Sequence, residues 1–207
     1  MKSWGFNIHC GFIIPLTLIL SRKGRGNEKR ELTKIVTVTL VEKYNPEWPK
    51  WFEEIKAYLG EKIAKACITI EHVGSTAIPG MIAKPIIDII IVIEPERWEE
   101  MKALLEQRDY YHEGDKGIPE REVFRLNDET ILPTHHLYVC PKHSFELKKE
   151  TAFRDYMKTH KRDRERLGKL KWELAEKFNN DKYPYMDGKD ATVKEITEKA
   201  LKTIEGK

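Results

Sequence analysis

The chain has 207 residues, 40% of them hydrophobic and 10% aromatic, enough to bury one core and too few for a multidomain machine. Together with 34% charged residues, this excludes disorder of the whole chain. The formal charge of +3 hints at nucleic acid, but it is unevenly placed: six of the 37 basic and two of the 34 acidic residues fall in 1–33. That leaves 31 basic and 32 acidic residues for 34–207, a net of −1, so the body lacks a basic field and no nucleic acid is expected as partner.

The chain divides into an N-terminal extension, 1–33, and a domain over 34–207. The run Cys10–Leu20 (CGFIIPLTLIL) is eleven residues long with a proline inside, short of the roughly 18–20 needed for a membrane span. It fits a weak signal or anchor, a docked extra segment, or an upstream extension unrelated to the fold. Cys10, Cys67 and Cys140 are too few and too scattered for a disulfide framework, which favours reduced thiols in a cytoplasmic protein. A single glutamine, Gln107, beside abundant Lys and Glu gives a thermophile-like composition.

In chain order, 35–41 (IVTVTLV) predicts a short strand. A helix opens at Pro46, with Trp51, Ile55, Tyr58, Leu59 and Ile63 at helical spacing. Residues 67–73 (CITIEHV) predict a strand ending at Gly74, followed by a loop rich in Gly, Ser, Thr and Pro. The apolar run 86–93 (IIDIIIVI) predicts a strand buried on both faces. Pro95 starts a second helix with Trp98, Met101, Leu104 and Leu105 inward. The stretch 112–120 reads as polar loop, and strands follow at 123–126 and 135–140. Helices are predicted at 145–160 and 163–179, joined by a solvated junction within 158–166. A capping box, Thr192-x-x-Glu195, announces the last helix. The expected fold is α/β (α+β), a small mixed sheet flanked by helices with a C-terminal helical segment.

Asp88 is the most informative residue. An ionised carboxylate inside Ile86–Ile91 costs several kcal/mol unless something meets it: a metal, backbone donors, or Arg121 or Arg125 as a structural partner. Separated from it by the twelve residues 76–87, Gly74-Ser75 follows a strand directly. A glycine there lets backbone approach a ligand, and N–H groups with a hydroxyl can hold phosphate oxygens. Lys84, at the mouth of the apolar strand, suits either a phosphate or Asp88. His72, just before the loop, is more readily a hydrogen-bonded shaper than a base.

Glu71-His72-Val73-Gly74-Ser75-Thr76-Ala77-Ile78-Pro79-Gly80, with Ala83-Lys84-Pro85-Ile86-Ile87-Asp88-Ile89, resembles the signature of the GrpB family. Tyr44–Pro49, Phe153-Arg154-Asp155-Tyr156, the helix of Lys171, Tyr183, Tyr185 and Lys189 match as well, so the resemblance covers roughly 35–200. It implies a nucleotidyltransferase-like fold and much less about activity; the Gly-Ser loop and the acid lead to the expectation that a nucleotide or another phosphorylated small molecule binds at Gly74, Ser75, Thr76, Lys84 and His72, with Asp88 catalytic. Metal-dependent nucleotidyl transfer is one expectation, with Mg or Mn on Asp88 and Glu71 or His136. Arg125, Arg154 and Lys189 are further candidate anion contacts. Nucleotidyltransferases carry carboxylates at i and i+2, and here that pair is Asp88 and Ile90. A non-catalytic accessory domain, as in relatives fused to dephospho-coenzyme A kinase, is therefore the competing expectation.

Overall fold

The computed structural model describes residues 41–178 and 182–206. The extension 1–33 and residues 35–40 of the strand expected at 35–41 lie outside the described residues; Val41, its last residue, is buried outside any strand. Helix α1 (Trp48–Ala66) follows Asn45-Pro46 and buries Trp48, Phe52, Ile55, Leu59 and Ile63. Its inner stripe thus runs through Trp48 and Phe52, while Trp51 and Tyr58 sit at its margin. Gly60 interrupts the helix at φ 81° and ψ 174°, a left-handed position that the apolar spacing does not register.

Strand β1 (Thr69–Val73) pairs antiparallel with β2 (Ile87–Ile93). Helix α2 (Trp98–Glu106) buries Met101 and Leu105. Strand β3 (Tyr110–Gly114) falls partly in the stretch expected to be loop. Its polar residues, Tyr-Tyr-His-Glu-Gly, gave no alternation, because it is an edge strand paired only with β4 (Glu122–Leu126). β4 pairs antiparallel with β5 (His135–Pro141), and β5 pairs parallel with β2. The sheet is mixed and five-stranded, in the order β1-β2-β5-β4-β3, flanked by helices as expected.

One face of the sheet carries Ile87, Ile89, Ile91, Leu137 and Val139 and packs against α1 and α2 in the main core. The other face holds a smaller cluster of Val73, Ile90, Val92, Tyr138 and Cys140, with Leu147 of the next helix against it. That helix, α3 (Phe145–Thr159), is capped by Ser144, whose Oγ accepts from the Leu147 N–H at 3.2 Å. α4 (Lys161–Lys177) follows after one residue, His160, so 158–166 is a helix junction. The last helix corrects the sequence reading: α5 spans Lys182–Glu205 and begins ten residues before the expected capping box. Tyr183-Pro184-Tyr185 lies in its first turn, where proline's missing N–H has no intrahelical partner to lose. α3, α4 and α5 share the buried residues Phe153, Met157, Leu167 and Ile196 with Ile78 and Met81 of the loop after β1. This packing presses the C-terminal helices onto the Gly74–Ser75 loop.

Candidate functional site

The site lies where β1 ends and β2 begins. Antiparallel register sets Val73 opposite Asp88, and parallel register sets His136 beside it. These residues, with Glu71, share one face of the sheet by the two-residue period. Asp88 is therefore at the strand's entrance, its side chain 29% exposed, rather than deep in the apolar run. The partner it finds is neither Arg121 nor Arg125. His136 donates its Nδ1–H to Asp88 Oδ1 at 2.8 Å. Arg121 instead lies over the Tyr138 ring, near Glu146.

Gly74 adopts φ 69° and ψ −168°, and a Cβ there would collide with the Asp88 carboxylate. Glycine is required both by the backbone angle and by the close approach of this acid. The loop beyond it is braced from below. Thr76 gives its only hydroxyl hydrogen to the Ile86 carbonyl at 3.0 Å, so its Oγ accepts from His72 Nε2–H, also at 3.0 Å. That fixes the His72 tautomer. Phe52 stacks on the imidazole at 4.9 Å, and burial pushes the ring down to about 4, so it is neutral near pH 7. His72 and Thr76 thus shape the loop, and Thr76 is 1% exposed.

Ser75 faces the other way. Its Oγ accepts from Lys171 Nζ at 2.6 Å, and the same amine donates to the Ile82 carbonyl at 3.4 Å. Lys171 is buried on α4, and burial, with Lys189 and Lys84 nearby, pushes its amine down to about 7; Asp88 acts in the opposite sense. Lys84 lies 4.7 Å above the ring of Tyr185 on α5. Lys189, one turn further along α5, is largely buried and 3.7 Å from Asp190. Lysines from a loop and two helices therefore lie close enough to act on one another, with Lys171 alone on the Ser75 hydroxyl and Asp88 opposing their charge.

Several expected participants stand elsewhere. Glu71 accepts from Arg154 at 2.6 Å and from Thr69 at 3.1 Å. Arg154 also donates to the His72 carbonyl and to Asp155, tying α3 to the end of β1. Arg125 is on β4, two strands from β2, in ion pairs with Glu113 and Glu129. His135 points to the opposite face, between Tyr110 and the Pro133 carbonyl. One residue at the site was not among the expected contacts, although its helix is part of the family resemblance. Lys171 occupies an inner position of α4 between Leu167 and Leu174, and a charged residue interrupting that apolar stripe was the available signal.

The donor set does not fit a two-metal centre. The i+2 position is Ile90, fully buried in the smaller apolar cluster, and Glu71 is held by Arg154. Among the described residues, no group of three His, Cys, Asp or Glu side chains converges as a metal site. No helix among them is long and apolar enough to cross a membrane.

Comparison with known proteins places this geometry in a family. UPF0157 protein YqkA of Bacillus subtilis is 30% identical over 165 residues, which cover 79% of this chain and 48% of that protein. The chain thus spans about half the length of that relative. UPF0157 protein BH1888 of Halalkalibacterium halodurans is 33% identical over 169 residues, covering 81% of this chain and 84% of the relative. The crystal structure of conserved protein GrpB from Enterococcus faecalis superposes with a TM-score of 0.70 at 32% identity, over 80% of this chain and 99% of that one. The family model described as GrpB protein matches residues 37–199, the sheet, the Gly74–Ser75 loop and all but the end of α5, and the chain belongs to the GrpB family.

Proposed function

We propose that the chain binds a nucleotide or another phosphorylated small molecule at the Gly74–Ser75 loop. Ser75, Lys84, Lys171 and Lys189 form the anion cradle, and Asp88 with His136 forms its opposite wall. The observation that carries this reading is the 2.6 Å hydrogen bond from buried Lys171 to Ser75, with two further lysines near the same amine. Lys84 and Lys189 beside that amine make the surroundings of Ser75 locally cationic, which suits a phosphate. The body of the protein has no general basic field, so affinity for an anion rests on these few groups.

Nucleotidyl transfer at this site would rest on positioning and charge neutralisation by these side chains. One carboxylate and one imidazole are poor support for Mg, which prefers oxygen ligands. Calorimetry with ATP, CTP, GTP and coenzyme A precursors, with and without Mg²⁺ or Mn²⁺, tests the proposal. Saturable binding that Ser75→Ala weakens supports it, and absence of binding to every compound rejects it.

The burial of Ile90, where a second acid would stand, favours a second reading: an accessory domain that keeps the fold without the chemistry. On that reading Asp88→Asn leaves the domain's biological effect intact in cells lacking the wild-type chain. Loss of that effect in a folded Asp88→Asn variant rejects it.

A further inference from the structure

Arg121 immediately precedes β4, two residues before Val123, whose register partner is Tyr138 of β5. Its guanidinium carbon lies 4.6 Å from the centre of the Tyr138 ring, on the sheet face that also carries Asp88 and His136. The side chain is 13% exposed, and its Nε is sealed from solvent without a hydrogen-bond partner. Among the described residues none accepts a hydrogen bond from this guanidinium, yet Nη1 and Nη2 are not sealed. An arginine carries five N–H donors in a fixed fork. Here the fork is anchored on an aromatic ring with its terminal donors unused.

Charge is already balanced around it. Glu146 of α3 is 3.7 Å from Nη1 and pairs at 2.6 Å with Lys149, which is also 3.7 Å from Glu150. Two cations thus face two carboxylates, and what the guanidinium lacks is acceptor atoms rather than negative charge. His136, beside Asp88, is two residues from Tyr138 along β5, roughly 7 Å. One face of the sheet therefore leads from the Ser75 cradle, past Asp88 and His136, to an open pair of donors.

We infer that the phosphorylated ligand is a 6-oxopurine nucleotide, whose base presents two adjacent acceptors, the carbonyl O6 and the ring N7, to the terminal nitrogens of Arg121. This rests on the phosphate-binding reading above and specifies its ligand. The phosphate lies at Ser75 and the sugar passes Asp88 and His136. Adenine carries an amine in place of O6, so it sets donor against donor and leaves part of the fork unmatched.

The test is calorimetry of the full chain with inosine 5′-monophosphate, adenosine 5′-monophosphate and ribose 5-phosphate. The two nucleotides differ chiefly at position 6, carbonyl against amine, so recognition by Arg121 is read as the ratio of their affinities. The inosine nucleotide is expected to bind at least about tenfold more tightly. In Arg121→Met that ratio should fall to about one while ribose 5-phosphate binds as before, a pattern that a general loosening of the fold does not produce. Equal affinity of the wild-type chain for the two nucleotides, or a preference that survives in Arg121→Met, would each overturn the inference and leave phosphate binding intact. If none of the three compounds binds, both this inference and the reading beneath it fall. Should Arg121→Met fail to fold, Arg121→Lys, which keeps the charge and loses the fork, serves in its place and should also lose the preference.

Discussion

An amine buried against a hydroxyl and a carbonyl destabilises the fold whenever it is charged. Lys171 is such a group, lowered from 10.5 to about 7. Between those values the unfolded chain binds the proton and the folded chain does not, so stability rises with pH across that window and the full penalty applies below it. Lys171→Met should therefore stabilise the ligand-free protein by about 1–3 kcal/mol at pH 7 and flatten its stability between pH 7 and pH 10. Denaturant unfolding at several pH values checks both. Such a gain with loss of phosphate binding is the trade expected of a functional lysine. At Gly74 the constraint is steric. Gly74→Ala places a methyl against the Asp88 carboxylate at a left-handed φ, and should cost about 2–4 kcal/mol, read as a fall in denaturation midpoint. Both residues act on Asp88, one through charge and one through contact. Yet only Gly74 was recognisable as a site residue, because it adjoins Ser75 in a motif, whereas Lys171, 96 residues from Ser75, stood out only through the resemblance of its helix.

At the level of elements, periodicity succeeded where an element buries one continuous face. β2 and α2 followed their apolar patterns because their inward residues meet the same core. It failed at β3, whose polar edge needs no alternation, and at α5, where Thr192 and Glu195 imitate a helix start inside a helix already under way. α1 shows a subtler failure. Helix propensity predicts that Gly60→Ala stabilises by about 1 kcal/mol, since alanine is the better helix former. The observed φ of 81° predicts the opposite, a loss of about 1–2 kcal/mol, because a Cβ at that angle is strained and meets the Arg108 guanidinium. Thermal unfolding of the variant distinguishes the two by sign alone.

Across the whole molecule, the candidate site is assembled from the loop after β1, the entrance of β2, one strand beyond it, and two C-terminal helices. The Ile78 and Met81 side chains lock that loop into the core of α3, α4 and α5, so the site and the helical packing form one unit. A ligand bridging Ser75, Lys84, Lys171 and Lys189 should therefore stabilise the fold as a whole. At about one hundred times its Kd it adds roughly 2.7 kcal/mol, seen as a concentration-dependent rise in Tm that Ser75→Ala reduces. By itself the sequence determined the mixed α/β class, the buried strand with its acid, the Gly-Ser loop and the near-neutral body, because each is written in neighbouring residues or in simple counts. Only the tertiary structure decided that Asp88 meets His136 rather than an arginine, that Glu71 belongs to Arg154, and that Lys171 reaches Ser75. Those pairings depend on strand register and helix packing, which bring together side chains that no local pattern relates.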